Sequence, residues 1–146
     1  MVKLLAYISD EIRVVMNTEV ALVILPDEER NEFSYVVVAH DDIATEKRIK
    51  EFLFPADKSI AGKVVRTGEP IIVSDTSTEP DFYPEVDKKN GYITRNMLEV
   101  PLRGRDQIVG VLCARNKREG QFDRTDVELL SMIAGTVALF NGTILK

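Results

Sequence analysis

The side chains best equipped for chemistry are few in this chain of 146 residues. It has one cysteine, Cys113, and one histidine, His40. A thiolate attacks electrophiles and binds metals, and an imidazole moves protons near neutral pH. Neither residue has a second of its kind beside it. No intrachain disulfide, Cys/His metal cluster or thiol redox couple can be assembled from them. Cys113 lies in an apolar run, where a lone thiol packs as a small hydrophobe. Ser-His-Asp catalysis would have to use His40, and no serine stands in a nucleophile-elbow pattern. Asp75, Asp81, Glu85 and Asp87 gather in one polar stretch. Two carboxyls can share acid–base work, but acids scattered in a loop serve first as caps and turn residues. The inventory predicts a protein that is not an enzyme.

Binding chemistry is better represented. The stretch from Asp75 to Thr94 contains Pro80, Pro84 and Gly91 among many polar residues. It is longer than an idle connection in a compact domain, since structureless loops beyond ~12–15 residues are usually functional or disordered. Phe82 and Tyr83 lie within it, and aromatic rings in a polar loop must pack somewhere. A lid over a pocket is one such place, and anchorage of the loop to a sheet is the other.

The elements that would position these residues follow from periodicity. Leu4, Leu5, Ile8, Ile12, Val15 and Met16 recur at helical spacing. Val20 to Leu25 is a continuous apolar run ending at Pro26, the pattern of a strand buried on both faces. A turn over residues 27–32 and a second strand from Phe33 to His40 complete a hairpin. Residues 41–58 read as a loop holding a helical turn. Ser59 is placed to cap a short helix over residues 60–67, with Gly68 as its terminator and Pro70 as a stop. Ile71 to Val73 is a short strand. Asn96–Arg103 and Gln107–Asn116 form a second hairpin, in which Pro101 calls for a bulge or an edge. Strict alternation puts Val109, Val111, Cys113 and Arg115 on one face of its second strand, opposite Ile108, Gly110, Leu112 and Ala114. Asp123 caps a final helix with two apolar stripes: Val127, Leu130, Ile133/Ala134, Val137, Phe140 and Ile144, then Leu129, Met132 and Leu139. The second stripe needs a partner, either the first helix or another copy of the chain.

Composition bounds the class. The net charge of −5 and scattered basic residues argue against a nucleic-acid surface. No apolar run approaches the ~20 residues of a membrane span, and the N-terminus lacks the plan of a signal peptide. A single cysteine fits a reducing compartment, so a cytoplasmic location is expected. Asn141-Gly142-Thr143 matches a glycosylation acceptor but falls in the last periodic segment.

Three passages together resemble the GAF domain family: residues 59–70 (SIAGKVVRTGEP); residues 96–102 (NMLEVPL) followed by residues 108–112 (IVGVL); and Asn116-Lys117 with Phe122 and Asp126. The resemblance spans nearly the whole chain. It implies an α+β, PAS-related fold: a five- or six-stranded antiparallel sheet, the terminal helices on one face, the ligand pocket and loops on the other. Phe82-Tyr83, Val86-Asp87 and residues 91–96 (GYITRN) are similar to the pocket loop of cyclic-nucleotide-binding GAF domains. By that likeness, the amides of Ile60 and Ala61 meet a cyclic phosphate, as the free N–H groups and dipole of a helix start would allow. Asp87, Asn90 and Thr94 fall where loop side chains contact purine and ribose, and His40 or Asp41 near the strand end beside the base. Cys113 occupies the position of a base-contacting glutamate, and Asp126 is followed by Val127 where the family pattern has an adjacent Asp-Glu. A Lys117–Asp126 ion pair is expected to pin strand to helix.

The expected function is a sensory domain with no cofactor other than a small-molecule ligand, a cyclic nucleotide foremost. The candidate ligand-binding residues are His40, Ile60, Ala61, Phe82, Tyr83, Asp87, Asn90, Thr94 and Cys113. Residues 1–146 read as a single domain cut from a larger signalling protein. The partners implied are a second copy, met through the first and last helices, and a neighbouring output domain. The alternative is a ligand-free dimerisation scaffold.

Overall fold

The computed structural model describes residues 2–27 and 29–139. Helix α1 (Val2–Met16) leads into strands β1 (Thr18–Asp27) and β2 (Glu32–Ala39). Helix α2 (Ile43–Lys50), strand β3 (Leu53–Pro55), helix α3 (Ile60–Thr67) and strand β4 (Ile71–Val73) follow. Helix α4 (Glu85–Asn90), strands β5 (Met97–Arg103) and β6 (Ile108–Lys117) and helix α5 (Arg124–Leu139) complete the chain. The six strands form one sheet in the order β3-β2-β1-β6-β5-β4, with every pairing antiparallel. The expected α+β architecture is the one observed.

The sheet is buried on both faces, and its alternation sorts two cores. Leu5, Ile12 and Met16 of α1 and Leu130, Ala134 and Val137 of α5 cover Val23, Leu98, Val100 and Leu112. On the opposite face Ile49 of α2, Ile60, Ala61 and Val64 of α3 and Val86 of α4 cover Leu22, Tyr35, Met97 and Cys113. The terminal helices therefore lie on one face and the short helices and loops on the other.

Several local details differ from the periodic reading, each for a physical reason. Residues 41–58 hold a full helix and an edge strand. Asp42 caps α2 by accepting from the Ala44 amide at 3.3 Å, a local signal that the scattered apolar residues hide. Val109 packs with the terminal-helix core, away from Val111 and Cys113, because the β5–β6 register shifts between Leu102 and Arg103. A bulge reverses alternation on one side of itself. Pro101 pairs with Val111 on one side, while β4 pairing ends at Glu99, so its missing N–H falls at a free edge. Of the second stripe on α5, Leu129 is half-buried against α1's core and Met132 is exposed. The expected positions of Phe140, Ile144, the Leu139 side chain and the 141–143 acceptor lie outside the described residues.

The ends of the helices explain the recurring wording. Ser59 Oγ accepts from the Gly62 amide at 3.1 Å, and Gly68 ends α3 in the left-handed region at φ 73°. Position 62 admits only glycine, since a Cβ there would lie 1.7 Å from the Ala56 carbonyl oxygen. Asp123 Oδ1 accepts from the Asp126 amide and Asp126 Oδ2 from the Asp123 amide, both at 3.0 Å, a reciprocal capping box. Lys117 Nζ lies 2.7 Å from Asp126 Oδ1 and also donates to the Met16 carbonyl at 3.3 Å. The expected ion pair thus joins β6 to α5 and ties in the end of α1.

Candidate functional site

A cavity lies between the sheet and the segments that cover it, lined by Tyr35, Phe54, Ile60, Ala61, Phe82, Tyr83, Met97, Glu99 and Arg115. The free space within is about 20 Å³, close to the room of one water molecule. Phe82 and Tyr83 from the segment before α4 pack against this core. Tyr35 packs on Phe54 at a tilt of 35°, with ring centroids 4.9 Å apart. The walls are thus aromatic, and the polar groups come from three places.

The first is the start of α3. The opening amides of a helix have no acceptor within it. Ser59 Oγ takes the Gly62 amide, and Ile60 and Ala61, the first two residues of α3, line the cavity. The other two are charged side chains on the sheet. Glu99 of β5 is paired across the sheet with Cys113 of β6, and Arg115 stands two residues further along the same face. Glu99 is 1% exposed and Arg115 6% exposed. Arg115 donates to Thr94 Oγ1 at 3.3 Å and to the Tyr35 hydroxyl at 3.4 Å, and its guanidinium lies 5.5 Å from the centre of the Tyr35 ring. Asp87 Oδ1 is 4.0 Å from the same guanidinium.

Burial sets the titration of this cluster. Removal from water pushes the Glu99 carboxyl up to about 7, against the pull of the Arg115 charge. Burial likewise raises the Cys113 thiol and the Tyr35 phenol. Desolvation works against the Arg115 charge, but Tyr35, Cys113, Glu99 and Asp87 more than offset it and hold the guanidinium protonated. A thiol raised by burial is unreactive, so Cys113 behaves as the small buried hydrophobe its strand suggests.

Of the residues singled out in the sequence, Ile60, Ala61, Phe82 and Tyr83 line this cavity. Asp87 and Thr94 stand behind it. The Asp87 carboxylate accepts from the Thr94 amide at 2.6 Å and from its hydroxyl at 3.2 Å, and Thr94 in turn accepts from Arg115, fastening the 82–95 segment to the sheet. They also border a shallow outer groove of about 440 Å³ with Ser77, Phe82 and Ile93. Asn90 is buried and structural, since its side chain accepts from the Tyr92 amide at 2.7 Å and its carbonyl from Arg48 at 3.1 Å. His40 accepts from the Asp42 amide at 2.9 Å and meets Tyr92 edge-on, 5.4 Å between centroids, outside the cavity. Cys113 is wholly buried beside Glu99, its cross-strand partner, and is not among the residues lining the cavity.

Tyr35, Phe54, Met97, Glu99 and Arg115 were missed in the sequence reading. Two carried a signal: Glu99 and Arg115 are charges on the inward face of strands otherwise apolar on that face. Such charges are rare unless paired or functional.

The 82–95 segment is also bonded to the start of the sheet. Tyr92 donates to Glu19 Oε1 at 2.9 Å, Arg95 to Glu19 Oε2 at 3.2 Å, and Asn116 Nδ2 to Tyr92 Oη and the Ile93 carbonyl at 2.7 Å each. Burial works to raise the Glu19 carboxyl, but the hydrogen bonds from Tyr92, Arg95 and Asn116 with the Arg95 charge hold it below its usual range. Arg13 of α1 donates to the Glu19 carbonyl at 3.1 Å and to Asp41, so the network runs on to the first helix.

The terminal helices carry a second concave surface. Tyr7, Ile8, Val15, Ile133 and Val137 line an apolar groove of about 240 Å³ between α1 and α5. Tyr7 is 62% exposed and Val15 57%.

The GAF domain family matches residues 1–139, and the chain belongs to it. It is 35% identical over 85 residues to the probable 3',5'-cyclic phosphodiesterase pde-5 of Caenorhabditis elegans, covering 58% of this chain and 12% of the relative. It is 34% identical over 91 residues to the mouse (Mus musculus) cone cGMP-specific 3',5'-cyclic phosphodiesterase subunit alpha', covering 62% of this chain and 11% of the relative. The chain therefore spans only about an eighth of the length of these curated relatives. Its fold superposes on the GAF domain/HD domain protein of Geobacter sulfurreducens with a TM-score of 0.78 at 17% identity, covering 94% of this chain and 89% of that one. Among the described residues no helix is long and apolar enough to cross a membrane, and no group of three or more His, Cys, Asp and Glu side chains could hold a metal ion.

Proposed function

We propose that this chain is the sensory domain of a signalling protein and binds a small molecule of the cyclic-nucleotide class between the sheet and the 82–95 lid. The observation that carries the reading is the aromatic cavity with the start of α3 on one rim and two buried charged side chains, Glu99 and Arg115, in its wall. Aromatic walls suit a flat ring, and the α3 amides suit a phosphate. The small free volume means that Phe82 and Tyr83 swing away to admit a ligand and close over it. Closure reaches α1 through Tyr92, Glu19 and Arg13, and favours one arrangement of the terminal helices. The effect on an output domain equals the ligand's differential affinity for the two arrangements, typically ~1–3 kcal/mol. The role is regulatory, not catalytic, in the cytoplasm, and within a homodimer joined through α1 and α5.

A thermal melt against cyclic AMP, cyclic GMP and common metabolites tests this. At a hundredfold excess over Kd a true ligand adds ~2.7 kcal/mol. A shift that disappears on replacing Asp87 or Thr94 with alanine supports the reading, and no shift with any compound overturns it. The second reading, a ligand-free scaffold, draws on the exposed apolar groove between α1 and α5. It predicts dimerisation that Tyr7→Asp abolishes in sedimentation, with no ligand response.

A further inference from the structure

Asn116 and Lys117 are consecutive, yet their side chains bind different parts of the domain. Asn116 is fully buried and holds the 92–96 segment. Its Oδ1 accepts from the Arg95 amide at 2.6 Å and the Asn96 amide at 3.3 Å. Its Nδ2 donates to Tyr92 Oη and the Ile93 carbonyl at 2.7 Å each, and to Glu19 Oε1 at 3.2 Å. The donor and acceptor sites of this amide are thus all engaged. Residues 91–96 belong to no helix or strand, so these bonds stand in for a backbone ladder. Lys117 is bonded to the terminal helices instead. It pairs with Asp126 in the first turn of α5 at 2.7 Å and donates to the Met16 carbonyl at the end of α1 at 3.3 Å, its ammonium 5.6 Å from the centre of the Phe122 ring. Cys113 packs in the cavity-side core and Arg115 lines the cavity, so strict alternation would send Lys117 the same way. The backbone of Asn116 lies in the left-handed region at φ 58°, which asparagine enters more readily than most residues. That local twist turns Lys117 toward the helices. Asn96 closes the joint: its Oδ1 accepts from the Lys117 amide at 3.0 Å and its carbonyl from the Asn116 amide at 2.9 Å.

We propose that Asn116 and Lys117 form a relay that ties the seating of the 92–96 segment to the end of α1 and the start of α5. Lifting the segment off Asn116 strands buried donors and acceptors on both sides of the joint, and each unpaired group carries its full desolvation penalty. A small shift of the β6 end keeps those bonds, so the strand end follows the segment. Lys117 holds Met16 and Asp126 at once, so both terminal helices respond together. The route through Tyr92, Glu19 and Arg13 reaches α1 alone. The relay deepens the sensory reading and rests on it for the signal that moves the segment. The coupling itself is a property of the ligand-free chain.

Amide hydrogen exchange of the ligand-free chain tests the relay in both directions. Tyr92→Phe removes a hydroxyl that bonds Glu19 and Asn116 and neither terminal helix. It should speed exchange at residues 123–127 by roughly threefold or more, and this reading is decisive because the Glu19 route does not lead to α5. Lys117→Met keeps the side-chain stem and removes the ammonium. It should speed exchange across residues 92–96 by a similar factor, since coupling between two sites is reciprocal. A double-mutant cycle in urea joins Tyr92→Phe to Asp126→Asn, two sites with no shared partner. The unfolding constant of the double variant should depart by about threefold or more from the product of the single effects. The cycle does not use Lys117→Met, so the relay is decided even if that variant folds poorly. Acceleration confined to each variant's own contacts, a cycle that closes within about twofold, or acceleration spread evenly to the edge strands β3 and β4 overturns the inference. No ligand enters these measurements, so that result leaves the sensory reading to the thermal melt, and a melt without a shift leaves the coupling result as it stands.

Discussion

Replacing Glu99 with glutamine isolates the cost of one buried carboxylate. Glutamine has the shape of the protonated acid and does not titrate. The carboxyl's ordinary value is 4.5, and burial lifts it to about 7 in the folded chain. A raised carboxyl contributes its full stability below the unfolded value and loses it as pH rises through the folded one. Between pH 4.5 and 7 the folded state holds a proton that the unfolded state has released, so wild-type stability falls through this window. At ~1.36 kcal/mol per pH unit the loss approaches about 3 kcal/mol, complete a little above pH 7. Glu99→Gln escapes it. Asp42, held low by its bond from Thr45, and Glu19, held low by its lid contacts, act below about pH 4.5, and both proteins share them. Urea denaturation of both proteins from pH 4.5 to 8 gives the difference directly. It should widen in favour of the variant by about 3 kcal/mol across the window. A difference that stays flat from pH 4.5 to 8 refutes the argument that this carboxyl is desolvated.

Three further substitutions probe how the site is held. Gly62→Ala drives a Cβ to 1.7 Å from the Ala56 carbonyl and should cost about 1–3 kcal/mol in urea denaturation, as the α3 start is pushed off the sheet. Asp126→Ala removes both the capping carboxylate of α5 and the partner of Lys117, for a loss of about 2–4 kcal/mol, while Asp126→Asn keeps cap geometry and loses less. Tyr92→Phe deletes the hydroxyl shared by Glu19 and Asn116, so amide exchange across residues 85–95 should speed by roughly tenfold, the equivalent of ~1.4 kcal/mol, with the sheet core unaffected.

The fold was legible where local chemistry and the tertiary structure agree. Ser59 and Gly68 bracket α3 by cap and left-handed stop, and Asp123 caps α5, because these signals act over three residues and need no distant partner. Lys117 and Asp126 also met as expected, across only 9 positions of sequence. Alternation failed at Val109, since a bulge is set by how two strands register and not by either strand alone. The region 41–58 was harder because α2 carries only one deeply buried apolar residue, Ile49, so its helical period is faint. The site was half legible. Ile60, Ala61, Phe82 and Tyr83 sit in motifs or conspicuous loops, whereas Glu99 and Arg115 carry only the signal of a charge on an apolar strand face, and the sheet pairing is what brings the two together. Tyr35 and Phe54 reach the cavity from the far edge of the sheet, through the pairing of β2 with β3.

The central claim is that a ligand enters under the 82–95 lid and against the start of α3. Amide NMR of the isotopically labelled chain, titrated with cyclic GMP, tests it most directly. Saturable shifts should cluster at Ile60, Ala61, residues 82–95, Glu99 and Arg115, continue weakly through Glu19 to α1, and leave the 103–108 turn unmoved. Shifts confined to the α1–α5 groove, or none up to millimolar nucleotide, would contradict it.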